Sequence, residues 1–93
     1  MQKHDMVEII TEELKNYYES MEIESEIDID TIIFGRDSKL DSLGFVTLLV
    51  DIETRMSEVG NEITLTSEQA MSQRNSPFRS VNTLADFIID QIR

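Results

Sequence analysis

The sequence predicts an all-α fold, a helical bundle of three main helices with a short third helix between the last two. Three features point to it. Apolar residues recur three and four apart in three separate stretches, the signature of amphipathic helices. Each stretch has a single apolar face, so the three must bury those faces against one another. The 93 residues suffice for one domain, 1–93, and not for two.

Residues 4–20 read as the first helix, with Met6, Val7, Ile10, Leu14, Tyr17, Tyr18 and Met21 as its core stripe. Asp5 and Glu8 suit the positive end of its dipole. Residues 22–41 form a long connection rich in acids: Glu22, Glu24, Glu26, Asp28, Asp30 and Asp37. Ile23, Ile27, Ile29, Ile32, Ile33, Phe34 and Leu40 punctuate it, too much apolar content for a disordered linker. It is expected to be an ordered loop, pinned to the core by its isoleucines and Phe34 and turning at Gly35. A strand over 22–30 ranks second, because a lone strand has no partner.

Phe45, Leu48, Leu49, Ile52, Met56 and Val59 share one face of a second helix over 42–59, which Gly60-Asn61 stops. Ile63-Thr64-Leu65 is a short extended piece. Thr66 or Ser67 caps a short helix over 67–72, and residues 74–77 form a loop. Ser80 caps a last helix over 81–92, whose face is Val81, Leu84, Ala85, Ile88 and Ile92.

Composition narrows the function. There is no cysteine, so disulfides, thiolate catalysis and cysteine-based metal sites are excluded. Nineteen acidic residues against eight basic ones give a charge of −11. That charge repels nucleic acid and anionic membranes, and it attracts proteins with basic patches. No basic segment followed by an apolar run opens the sequence, and no apolar stretch approaches the ~20 residues that span a bilayer. A cytoplasmic, monomeric protein with no membrane span is expected.

The back of the second helix is unusual. Leu43, Val46 and Val50 lie opposite the Phe45/Leu49/Ile52 face, flanked by Thr47, Glu53, Thr54 and Ser57. If the front is core, this stripe is exposed and offers a docking surface; the alternative is a loop that covers part of it. Asp41-Ser42 opens the same helix. Both residue types are good N-caps, which is reason enough for them to stand there. The free N–H groups and dipole at that helix end also favour a phosphate, so a phosphodiester on Ser42 would be well placed.

The string Leu40-Asp41-Ser42-Leu43-Gly44-Phe45-Val46-Thr47-Leu48-Leu49 resembles the prosthetic-group attachment motif of acyl carrier proteins. Ser80-Val81-Asn82-Thr83-Leu84-Ala85-Asp86-Phe87-Ile88 is similar to that family's closing segment, and the likeness covers nearly the whole chain. The resemblance implies an acyl-carrier-protein-like bundle. Ser42 would carry 4'-phosphopantetheine, transferred from coenzyme A in a Mg-dependent step. Asp41 would serve recognition by the phosphopantetheinyl transferase (holo-ACP synthase). Leu43, Val46, Thr47, Val50 and Glu53 would meet acyl-loading and acyl-transfer enzymes through their basic docking patches. The cargo would hang on the arm as a thioester for fatty-acid, lipid, polysaccharide or secondary-metabolite synthesis. A loaded chain folding back between the helices would find Met21, Met56 and the isoleucines as an adaptable lining; each is equally well placed as plain core.

The sequence also departs from the family. Ser38 and Lys39 stand where a Leu-Gly pair is usual, and Gly44, Thr47 and Thr54 stand where many fatty-acid carriers have acids. The 70–80 segment is longer than usual. These departures point to a specialised carrier. The Leu-Asp-Ser-Leu-Gly string is also similar to carriers of D-alanine for cell-wall polymers.

Three rival functions compete with a carrier. A serine hydrolase needs a base and an oriented triad, but the only histidine is His4 and no Gly-x-Ser-x-Gly elbow surrounds Ser42. A calcium loop from Asp28 fails where it needs a ligand or glycine, at Ile32, Ile33 and Lys39. An interaction module without a prosthetic group differs only in the chemistry of Ser42. The expectation is therefore a protein with no catalytic residues and no metal site.

Overall fold

The computed structural model describes residues 1–66 and 78–92. It is all-helical, with α1 spanning Lys3–Ser20, α2 Ser42–Glu58 and α3 Val81–Ile92. The short helix expected over 67–72 and the loop over 74–77 lie outside the described residues. No helix among those described is long and apolar enough to cross a membrane.

α1 is the element on which both other helices pack. Met6, Ile10, Leu14 and Tyr18 turn inward from it, joined by Ile9, which the expected stripe omitted. Phe45, Leu48, Leu49, Ile52 and Met56 come from α2, and Val81, Leu84, Ala85 and Ile88 from α3. The four phenylalanines of the chain form a continuous run through this core. Phe34 meets Phe45 with ring centroids 4.8 Å apart, Phe45 meets Phe78 at 5.8 Å, and Phe78 meets Phe87 at 5.5 Å. The last two pairs are edge-to-face, the arrangement the ring quadrupole favours.

Two residues correct the expected faces. Met21 and Val59 are each 55% exposed. Both are C-cap residues, and the chain leaves the helical path there. Glu22 N–H donates to the Glu19 carbonyl and Ile23 N–H to the Tyr18 carbonyl. Gly60 N–H donates to Ser57 and Asn61 N–H to Met56. Each pair is a Schellman motif, which satisfies two terminal carbonyls and carries the next residue off the helix face. Met21 therefore lines no interior, whereas Met56 is fully buried.

The long connection is ordered. Ile33 is fully buried, and Ile23, Ile27, Phe34 and Leu40 pack against the core. Ile29 is exposed. No strand forms over 22–30; one isolated antiparallel bridge joins Ile32 to Ser80. Around that bridge, Ile33 N–H donates to the Arg79 carbonyl at 2.7 Å. Val81 and Asn82, in the first turn of α3, donate to the carbonyls of Thr31 and Ile29 at 3.1 and 2.9 Å. The loop thus accepts from helix amides that have no partner within their own helix. Ser80 caps α3 reciprocally. Thr83 N–H donates to Ser80 Oγ at 3.2 Å, and Ser80 N–H donates to Thr83 Oγ1 at 3.0 Å.

Candidate functional site

Asp41 is the N-cap of α2, and its Oδ1 accepts the Gly44 N–H at 2.7 Å. Ser42 is therefore the first residue inside the helix. It is exposed, and among the described residues its hydroxyl makes no hydrogen bond. The amides of Ser42 and Leu43 also find no acceptor among the described residues, so two N–H donors stand beside that hydroxyl. The capping role that the sequence allows for either residue falls to Asp41, which leaves the serine oxygen free for other chemistry.

Two apolar features flank Ser42. On the outer face of α2, Leu43, Val46 and Val50 are 76%, 40% and 44% exposed, and Thr47 between them is exposed as well. The described residues leave this stripe open to solvent. On the other side lies an open depression whose lining includes Phe34, Gly35, Leu40, Asp41, Ser42 and Phe45. Of its walls, Phe45 belongs to the core, and Phe34 and Leu40 of the connection pack against it. An exposed nucleophile, free amides beside it and an apolar trough next to it suit a serine-linked phosphodiester with a flexible arm.

Glu53 differs from the rest of the expected docking set. Its carboxylate accepts the backbone N–H groups of Leu65 and Thr66, the latter at 3.0 Å. Leu65 is fully buried, so Glu53 ties the 63–66 segment to α2 over the core. Position on a helical wheel could not reveal this, because the donors lie more than ten residues away in the chain.

The sequence marks Gly44 only as a missing acid. It is buried, and the Tyr17 ring of α1 lies over it. That contact fixes the geometry at the site, because it places the C-terminal end of α1 beside the N-terminal end of α2. His4 lies at the other end of α1, roughly 20 Å along the helix axis from Tyr17. Its Nε2 sits 3.2 Å from Asp5 Oδ1.

Comparison of the chain with models of protein families, with curated proteins and with solved structures found no match.

Proposed function

We propose that this chain is an acyl carrier protein in which Ser42 bears 4'-phosphopantetheine. One observation carries the proposal: a solvent-exposed serine at the first position of α2 has a hydroxyl with no hydrogen bond among the described residues, between an exposed apolar stripe and an apolar depression. When bound, the arm supplies the thiol on which acyl cargo is held as a thioester. Asp41 fixes the helix start, which sets Ser42 at the first, exposed position of α2, open to a phosphopantetheinyl transferase. The amides of Ser42 and Leu43 favour a phosphate at that oxygen. Leu43, Val46, Thr47 and Val50 offer the docking surface for the transferase and for enzymes that load or consume the cargo.

The chain itself works by position. Its one histidine, His4, lies at the far end of α1 from Ser42, which favours a carrier over a hydrolase. A specialised acyl carrier or an aminoacyl carrier of the D-alanyl type would use the same attachment chemistry, as a monomer in the cytoplasm.

The test is intact mass after incubation with coenzyme A, Mg²⁺ and a broad-specificity phosphopantetheinyl transferase. A single phosphopantetheinyl addition is expected on the wild type and none on Ser42→Ala. No addition to the folded wild type would refute the carrier function and leave a binding module whose Ser42 is an ordinary helix residue.

A further inference from the structure

Ser38 is half-buried in the connection ahead of α2, and its hydroxyl is used twice. It donates to the Ile33 carbonyl at 2.5 Å and accepts the Leu40 N–H at 3.0 Å. Both partners are anchored. Ile33 is fully buried, and its own N–H donates to the Arg79 carbonyl just ahead of α3. Leu40 packs against the core and precedes Asp41, the cap of α2. One hydroxyl therefore joins the segment held at the start of α3 to the segment that enters α2. Little else holds the residues between. Gly35, Arg36, Asp37 and Lys39 are all exposed. From Gly35 to Lys39 the only backbone–backbone hydrogen bond among the described residues runs from the Ser38 N–H to the Gly35 carbonyl, at 3.1 Å. The depression beside Ser42 takes its lining from both sides of this stretch, Phe34 and Gly35 before it and Leu40, Asp41, Ser42 and Phe45 after it.

We infer that Ser38 is a positioning residue for the attachment of the arm to Ser42. The inference rests on the carrier function proposed above and adds a residue to its site. In that transfer Ser42 Oγ attacks the pantetheine-bearing phosphorus of coenzyme A. A new oxygen–phosphorus bond forms, the pyrophosphate bond breaks, adenosine bisphosphate leaves, and the serine proton passes to a base of the transferase. Ser38 touches none of these atoms. It acts through Leu40 and Asp41, holding the backbone that leads into Ser42 and, through Ile33, the loop wall beside it. Ser38 also gives a physical sense to a departure from the carrier pattern, because the leucine usual at this position could make neither bond. The docking stripe of Leu43, Val46, Thr47 and Val50 lies on α2 itself, where helix bonds hold it without the clasp. Loss of the hydroxyl therefore bears on the chemical step and spares the encounter with the transferase.

The test follows phosphopantetheinyl addition by intact mass over a range of carrier concentrations, for wild type, Ser38→Ala, Ser38→Thr and Gly60→Ala. All four are assayed at a temperature where thermal melts show them folded. Ser38 is half-buried, so water can replace its hydroxyl at both partners and the alanine variant folds. Ser38→Ala is expected to lower kcat about tenfold and leave KM within about twofold, since a small misplacement of a reacting group is costly. Ser38→Thr keeps the hydroxyl and should restore kcat to within about threefold of wild type. Gly60→Ala strains the other end of α2, where φ is +89°. It should lower the melting temperature and leave kcat unchanged, which separates lost position from lost stability. Amide resonances of the unloaded proteins give a second reading: Ser38→Ala is expected to move Ser42 and Leu43 as well as Leu40. An unchanged kcat in Ser38→Ala, no rescue by threonine, an equal loss of kcat in Gly60→Ala, or shifts confined to residues 33–40 overturn the inference and leave the carrier function standing. A wild type that accepts no arm overturns both.

Discussion

The ring of Tyr17 lies so close over Gly44 that a Cβ there would come within 2.6 Å of Tyr17 Cζ and 3.0 Å of Cε1. Gly44 sits in the first turn of α2, two residues after Ser42, and its lack of a side chain is what lets α1 approach the candidate site. Alanine has the higher helix propensity, by up to ~1 kcal/mol, so on an exposed helix this substitution would stabilise. Here the atoms in the way are the far end of the half-buried Tyr17 side chain, so the ring must swing aside and the sign turns on the packing it loses.

Gly44→Ala is therefore expected to displace the Tyr17 ring and to destabilise the protein by about 1 kcal/mol or less in urea denaturation, below the usual range for overpacking because the half-buried ring can yield. In a Tyr17→Leu background the same substitution should cost much less, giving a coupling of at least ~0.5 kcal/mol. Additive effects of the two changes would mean that the ring does not rest on the glycine.

The two Schellman turns make a matched pair. Glu22 adopts φ +58° at the end of α1, and Gly60 adopts φ +89° at the end of α2. A side chain in that region costs roughly 1–2 kcal/mol, partly offset by the entropy that glycine loses on folding. Glu22→Gly should stabilise the protein by about 0.5–1 kcal/mol, and Gly60→Ala should destabilise it by about 1 kcal/mol. Nothing lies within 4 Å of a Cβ built at Gly60, so that cost is conformational and not steric. Thermal melts of the two variants should move in opposite directions.

Local signals were the legible part of this chain. The three helices, the stop at Gly60-Asn61, the Ser80 cap and the loop anchors at Ile33 and Phe34 all follow from spacing and neighbouring residue types. A helical wheel misplaces Met21 and Val59 because it continues past the cap, whereas the chain does not. The remainder depends on partners distant in sequence. Gly44 takes its meaning from Tyr17, and Glu53 from the amides of Leu65 and Thr66. At the candidate site, Asp41, Ser42 and the exposed stripe were visible in the sequence, but the depression walled by Phe34, Leu40 and Phe45 was not, since the loop and the helix form it jointly.

Arg55 of α2 bridges to α1, with 3.0 Å to Glu12 and 3.1 Å to Glu13. Hydrogen bonds to Glu12 and then Glu13 push its guanidinium pKa above the ordinary value. A cationic group raised in this way contributes stability that is complete below its unfolded pKa and is lost only as pH rises through the folded one. Both lie above the neutral range, so the contribution is constant there. Arg55→Met should cost about 1 kcal/mol or less at neutral pH, given partial exposure. Salt acts on this pair and on the whole chain in opposite senses. The wild-type melting temperature should rise from low to physiological salt as the −11 charge is screened, while the gap between wild type and variant narrows. A wild-type melting temperature flat with salt contradicts the first expectation.

Tyr18 provides a second sign that can be checked. Burial pushes its phenol pKa above the ordinary 10.0. The folded state therefore holds the proton longer than the unfolded state. The stability involved is fully present below the unfolded pKa, begins to fall as pH passes about 10, and is lost as pH rises through the folded value. Tyr18→Phe has no proton to lose. Denaturation midpoints of the two proteins should run parallel up to about pH 9 and converge or cross above 10, the wild type falling faster. Parallel curves throughout would place the Tyr18 hydroxyl in ordinary solvent.

Glu53 has two possible uses that one pair of measurements separates. As a docking acid it would change the transferase reaction and leave stability alone. As the acceptor for Leu65 and Thr66 it would change stability, because two backbone amides lose their partner. Glu53→Ala is expected to destabilise by about 1–3 kcal/mol, the range for leaving a polar group unsatisfied or breaking a bond to a charged one. Glu53→Gln keeps one acceptor oxygen and should lose less. At a temperature where both variants remain folded, the rate of phosphopantetheinyl addition to Ser42 should stay within about twofold of wild type, since a single rim charge contributes little. Alanine substitution at Leu43 or Val46 should show the opposite pattern: near-normal stability with a raised KM for the transferase. A Glu53→Ala protein as stable as wild type but slow to be modified would reverse the assignment and return this carboxylate to the docking surface.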